Sequence, residues 1–528
     1  MPESVMTKRH MLIVWGIFAC VMLWTAPGLD YYLGNSDHGY QLSMGKEMLL
    51  GKFPFVDLFF HYGPLTALTS AFGLWLSNSL IPETVICALG YATALALIYF
   101  LTRFYLSTMA GILSSCLGFF LLSRFYKWYY WLFPLLVLYS FHVLLQTQSR
   151  RRGLWLFMAG IIAGVGGLYR LDLGVVFLCF YSLCLFGICL KPLNVKQMGR
   201  HHAILFSGFL LPLFVWCLFL WGNGGSTRDF FNAVFAGSQG VVTKLSLPIP
   251  KFDLWHPFSL RSSSALAFVL TPLTYIFCLF FGLWRWSHTC ESLQPKWAFM
   301  IAVGLMGLGI FPQALHRSDV SHLLQVLPPA LIAGSLMISE LWHVEVSSKR
   351  PHLKKFSIMA FVVLYLLLVG TSAWGIRRYG GINLVKWELN PIPRYQKLKA
   401  GNILGSNHPV ARIVNIVHQN SEKGDSILAI LRDSQLYYFI DRPLNGLVNV
   451  YAPGVLDNAE WRLRNLEAIR NDPPVLVIAM DIFFDLPPTN SFREYQPELY
   501  DFLYTHYSRI IYRQDKYLLL AANETASP

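Results

Sequence analysis

Long apolar stretches separated by short basic connections fill the chain up to about Trp374, and beyond that point apolar and polar residues alternate over much shorter distances. A helix crosses the hydrocarbon layer of a bilayer with about 17 to 25 predominantly apolar residues. Runs near 11–28, 84–102, 107–123, 130–146, 154–169, 173–190, 203–221, 264–284, 297–315, 323–343 and 356–375 meet or approach that length, so the pattern predicts about eleven spans. One further run, Pro64–Leu76 (PLTALTSAFGLWL), is shorter. As a crossing it would put Arg150–Arg152 on the opposite side from Lys8 and Arg9, against the gathering of basic residues at the cytoplasmic face. It therefore reads as a helix lying in the interface.

After the last run the pattern changes to short helical and strand-like segments. VARIVNIVHQN, SILAIL, AEWRLRNLEAIR, PVLVIAMD, QPELYDFLYTHY and RIIYRQDKYLLLAA follow one another, which predicts a small α/β domain. The Gly-, Asn- and Pro-rich stretch NPIPRYQKLKAGNILGSNHP is its linker. The organisation is thus a membrane domain, 1–384, carrying a polar loop at 29–83, and a soluble domain, 385–528.

Composition agrees with the pattern. Hydrophobic residues make up 55% of the 528 positions and charged ones only 13%, about half the share in an ordinary soluble domain. The formal net charge of +13 sits largely in short connections between spans, where it orients the chain, so nucleic acid is not a partner. Eight of the nine cysteines lie in apolar runs and Cys290 in a connection, which implies no disulfide framework. The basic start followed by an apolar run has no small-residue cleavage site and reads as a retained first helix.

With the interfacial helix excluded from the crossings, Lys8, Arg9, Arg103, Arg150–Arg152, Lys191, Lys196, Arg200, Arg285, Lys296, Lys349, Arg350, Lys354 and Lys355 fall on the cytoplasmic side with the N-terminus. The external face collects Asn35–Leu65, the patch RFYKWYYW (Arg124–Trp131), YRLD (Tyr169–Asp172), the loop Gly222–Ser263, HRSDVSH (His316–His322) and the soluble domain.

Those external segments hold the candidate chemistry. Asp37 begins a helical pattern in which Tyr40, Met44 and Met48 recur every four residues, predicting a short amphipathic helix on the outer surface. An ionised Asp37 can accept a proton, and it can also simply cap the helix, as Asn35 or Ser36 could. Arg170 with Asp172, and Arg317 with Asp319 and His322, end spans on this face. Each group alone is compatible with snorkelling or salt bridging. Together with Lys127 they form a set of cations suited to gripping a phosphate. His38, His61 and Tyr62 of the Asp37 segment are placed with these substrate-binding groups, and no residue is assigned to a metal.

The stretch SDHGYQLSMGKEMLLGKFPF followed by HYGPLTALTSAFGLWL resembles the first external loop of the GT-C glycosyltransferases, the superfamily of protein O-mannosyltransferases and lipid A aminoarabinose transferases. YRLDLG and HRSDVSHLLQ resemble motifs of bacterial members, and LYYFIDRPLN, NDPPVLVIAMD and YLLLA resemble their external C-terminal domain. The chain departs from the pattern at Asp37-His38, where many relatives carry two acidic residues, and at HYGPL, where one branch has Lys-Pro-Pro-Leu.

The resemblance implies a polytopic α-helical membrane protein with a small external α/β domain, in the bacterial inner membrane with its C-terminal domain periplasmic. It implies an inverting glycosyltransferase with a polyprenyl-phosphate-linked sugar donor, a lipid, glycan or protein acceptor, and Asp37 as base. This chemistry requires no cofactor, and a divalent metal is compatible with it. Two rivals remain: an O-antigen ligase or polymerase using a diphosphate-linked donor, and a transporter or flippase for a lipid-linked sugar. The latter ordinarily places ionisable residues within its spans, whereas here they gather at one face.

Overall fold

The structure, a computed structural model, describes residues 7–25, 36–77, 79–122, 124–147, 149–189, 195–256, 259–288, 294–343, 409–430, 435–456, 458–480, 492–514 and 517–523. Its helices begin with α1 (Lys8–Thr25), α2 (Ser36–Leu49), α3 (Pro64–Leu76), α4 (Ile81–Tyr105) and α5 (Thr108–Phe120). A 3-10 turn at Phe125–Lys127 leads into α6 (Tyr129–Gln146), then α7 (Ser149–Tyr169), α8 (Leu171–Cys189), α9 (Val195–Gly222) and α10 (Thr227–Leu245). There follow α11 (Leu260–His288), α12 (Gln294–Ile310), the short α13 (Pro312–His316) and α14 (Val320–Gln325), and α15 (Pro328–His343).

Among the described residues six helical segments are long and apolar enough to cross a membrane: α4, α6, α7, α9, α11 and α12 with its continuation α13. The predicted span at 356–375 and the domain boundary at 384/385 lie outside the described residues. The molecule is a polytopic α-helical membrane protein with a small C-terminal α/β sheet. It divides into two compact units, one of Met1–Pro27, Val85–Val215 and Leu247–Trp387, the other of Gly28–Thr84, Trp216–Ser246 and Glu388–Pro528.

In the first unit α12 is the hub, packed against α11, α15, α6 and α8. Glycines bring backbones together where no hydrophobic force from water is available to do so. A Cβ on Gly160 of α7 would strike the Leu205 carbonyl of α9, and one on Gly208 the Phe157 carbonyl in return.

The predicted span 323–343 is divided. Pro328 and Pro329 lack the N–H groups that would donate to the Leu324 and Gln325 carbonyls, so α14 ends at Gln325 and α15 starts afresh. A carbonyl released in this way must find another donor. The buried Trp131 indole N–H supplies one to Leu324 at 3.0 Å, and the Tyr275 hydroxyl supplies one to Val326.

The second unit is built around α2. Its Gly45 lies against the α3 backbone, where a Cβ would come within 2.6 Å of the Ala71 nitrogen. Its other side is covered by the soluble domain: the buried Glu47 carboxylate accepts the Leu444 N–H at 3.0 Å, Lys46 pairs with Asp441 at 2.7 Å, and Lys52 donates to the Leu444 carbonyl at 2.9 Å. Asn449 donates to the Tyr40 carbonyl at 3.2 Å and to the Ser43 hydroxyl. The helix predicted as surface amphipathic is therefore enclosed on more than one face, because residues about four hundred positions away pack on it.

The sheet has the order β1 (Ile427–Ile430), β2 (Leu476–Met480), β4 (Tyr517–Ala521), β3 (Arg509–Gln514). β1 and β2 are parallel, which requires a crossover, and the helix Ala459–Asn471 lies in that connection. The other pairs are antiparallel.

Trp131→Phe removes the donor to Leu324 and is expected to cost about 1–3 kcal/mol, the usual penalty for orphaning a buried polar group. Pro328→Ala restores a backbone N–H there, so in that background the same replacement should cost clearly less. A double-mutant cycle on denaturation midpoints in detergent measures this, and equal costs in both backgrounds would refute the capping role.

Candidate functional site

In the first unit, the segments around Arg124 and Asp319 meet. Tyr91 donates its hydroxyl to the Arg124 carbonyl at 3.0 Å and packs on Phe125 and Trp131, which seats the turn Phe125–Lys127. Lys127 is only 3% exposed, with its ammonium 5.7 Å from the Tyr126 ring. Asp319 caps the N-terminus of α14 by accepting the His322 N–H at 3.0 Å, and the His322 ring Nδ1 lies 2.8 Å from the same oxygen. Its second oxygen faces Arg317 at 3.4 Å and Arg124 at 4.0 Å.

These contacts decide the charge of the cluster. Burial opposes ionisation of Asp319, but the His322 hydrogen bond and the Arg124 charge outweigh it and hold the carboxyl down at about 2. Burial lowers His322 to about 4, with Lys127 and Arg124 acting in the same direction against the partial support of Asp319. The imidazole is thus neutral at ordinary pH and donates Nδ1–H to the carboxylate. Three cations, Arg124, Lys127 and Arg317, thus stand in the neighbourhood of the Asp319 carboxylate and the His322 ring.

Arg170 is differently placed. Its fork holds Asp172 through Nε at 3.2 Å and Nη2 at 2.7 Å, and Gln313 and the Leu173 N–H add donors at 2.5 and 2.8 Å. The guanidinium stands over the Tyr130 ring at 6.0 Å. This pair ties the start of α8 to α13 and α6, and its charges balance.

In the second unit, Asp37 lies half-buried in the first turn of α2, where the helix dipole favours a carboxylate. Next to it His38 reaches Glu83 at 3.3 Å, both side chains being 5% exposed, and the other Glu83 oxygen accepts the Ser70 hydroxyl at 2.6 Å. One carboxylate therefore joins α2, α3 and α4. A Cβ on Gly73 would lie 3.0 Å from Glu83, so glycine permits this approach. The Tyr40 ring stacks on His61 at 4.9 Å, its hydroxyl accepts the His61 N–H at 3.2 Å, and His61 adjoins Tyr62 at 4.6 Å.

The structure thus brings Lys127, Arg317, Asp319 and His322 into one cluster and Arg170 with Asp172 into another, both in the first unit. Asp37, His38, His61 and Tyr62 belong to the second. Sequence reading named Arg124 only as part of its aromatic-basic patch and missed Gln313, Glu83 and Ser70 as partners. Glu83 could have been noticed as an acid in the first turn of an otherwise apolar helix. Among the described residues no three His, Cys, Asp or Glu side chains gather closely enough to hold a metal ion.

The membrane helices and the small C-terminal sheet define a polytopic α-helical membrane protein with a small α/β sheet, and solved structures share this fold end to end. The chain is similar to ArnT from Cupriavidus metallidurans in its apo state, at 13% identity over 98% of each chain with a TM-score of 0.53. It is equally similar to ArnT from that organism bound to undecaprenyl phosphate, at 14% identity over 98% of this chain and 99% of that one, again with a TM-score of 0.53. No family model matches the sequence, and neither does any curated protein.

His322 generates a pH prediction. Its folded value, about 4, lies below the unfolded value near 6.5, so stability is full above about 6.5 and is lost as pH falls toward 4. The loss from this residue amounts to at most about 3 kcal/mol. His322→Asn keeps a donor beside Asp319 but cannot titrate, so denaturation midpoints measured from pH 7 to 4 should fall less steeply than in the wild type. Parallel curves would contradict the assignment.

Proposed function

We propose that the chain is an inverting glycosyltransferase of the bacterial inner membrane. It takes a sugar from a polyprenyl-phosphate carrier and passes it to a lipid, glycan or protein acceptor at the external face. The N-terminus is cytoplasmic and the soluble domain periplasmic. The observation that carries this reading is the end-to-end likeness to a fold captured with undecaprenyl phosphate.

In the proposed reaction Asp37 accepts the proton of the acceptor hydroxyl while that oxygen attacks the anomeric carbon from the face opposite the phosphate. The bond from that carbon to the phosphate oxygen breaks, and its electron pair leaves with the carrier, which gains one negative charge. The positive charges of Arg124, Lys127 and Arg317 are suited to offsetting it. Neutral His322 adds hydrogen-bonding capacity without competing for the anion. His38, His61 and Tyr62 orient the sugar and the acceptor. Arg170 and Asp172, whose charges are spent on each other, position α8 beneath the phosphate site.

Transfer from polyprenyl-phosphate-linked sugars by the purified protein in nanodiscs tests the proposal. Asp37→Asn should insert and fold normally yet lose about a hundredfold or more in turnover. Wild-type turnover would reduce Asp37 to a helix cap. Arg317→Lys keeps the charge but loses the planar grip, so donor use should weaken with little change in yield. A change confined to yield would make Arg317 a membrane anchor.

A further inference from the structure

The segment Leu247–His256, which follows α10, carries apolar side chains that nothing in the reaction uses. Leu254 is 81% and Trp255 90% exposed, and Leu247, Ile249 and Phe252 of the same stretch are exposed as well. The stretch is nonetheless firmly built. Asp253 Oδ1 accepts the Trp255 and His256 N–H groups at 2.9 and 3.3 Å, and its Oδ2 lies 3.1 Å from the His256 ring. The Ser262 hydroxyl accepts the Asp253 N–H at 2.9 Å and lies 3.2 Å from its carbonyl, while Ser259 bonds to Ser262. The turn is held by these bonds without the two large side chains, which are exposed.

The first turn of α11 fixes where this tip lies. α11 has 29 residues and so runs roughly 43 Å, against a hydrocarbon layer of about 30 Å. Its ends therefore stand in the headgroup layers, and Ser262, the third residue of the helix, pins Asp253 at that depth. An indole and a leucine side chain projecting there meet the region in which tryptophan is enriched because its ring is apolar and its N–H is wet. At its other end the segment pairs with Arg317 and Ser318 through Leu247, so the tip and the cation cluster share one stretch of backbone.

We infer that Leu254 and Trp255 form a membrane anchor, seated at the headgroup–acyl boundary of the leaflet where α11 enters. The inference is independent of the proposed reaction.

The test uses full-length protein in phosphatidylcholine nanodiscs, with its native cysteines replaced and an NBD fluorophore on Trp255→Cys, on Leu254→Cys or on Tyr504→Cys. Tyr504 is an exposed residue of the soluble domain. Labels at 254 and 255 should emit at shorter wavelength than the label at 504, be quenched by lipids doxyl-labelled near the headgroup, and resist aqueous iodide. Asp253→Ala, which releases the turn, should weaken the lipid quenching at 255. Iodide quenching at 254 and 255 equal to that at 504, without lipid quenching, would place the tip in water and overturn the anchor. Protection from both quenchers would show the tip covered by protein and overturn it equally.

Discussion

A carboxylate withdrawn from water must be given cations or N–H donors, and four of them organise this molecule. Glu47 binds the Leu444 backbone and Glu83 joins three helices through His38 and Ser70. Asp172 collects Arg170, Gln313 and the Leu173 N–H, and Asp319 collects His322, Arg317 and Arg124. The backbone obeys the same rule where Trp131 and Tyr275 answer the carbonyls released before Pro328. Within each cluster the polar residues are thus mutually required, and substitution of one orphans several partners.

The balance of charge differs between clusters, and that difference carries the functional argument. Arg170 and Asp172 neutralise each other with good two-pronged geometry, so they serve architecture. Around Asp319 the cations outnumber the anion while burial keeps His322 neutral. Cations partly withdrawn from water, as Lys127 and Arg124 are, attract an anion more strongly than fully solvated ones. That suits a phosphate whose charge grows as the bond to the sugar breaks.

Much of the fold was legible because its determinants are local. Apolar run length found α4, α6, α7, α9 and α11, four-residue spacing found α2, and short strand-like runs found β1, β2 and the final segment, read as one run, that the structure divides into β3 and β4. The division at Pro328 was visible as two adjacent prolines but was overridden by the hydropathy around them. The enclosure of α2 could not be read, since Glu47 and Leu444 stand 397 positions apart. The same limit applies to the clusters. Arg317, Asp319 and His322 are neighbours in sequence and were named together, whereas Arg124 joins them only through folding. His38 was seen as a polar residue of the loop, but its partner Glu83 lies across α3.

The central proposal is that the carrier phosphate rests on the cations around Asp319. The most direct measurement is an experimentally determined structure of the protein with a bound polyprenyl phosphate. The account predicts phosphate oxygens within hydrogen-bond distance of Lys127, Arg124 or Arg317. A phosphate held elsewhere, with these cations bonded only to protein, would contradict it.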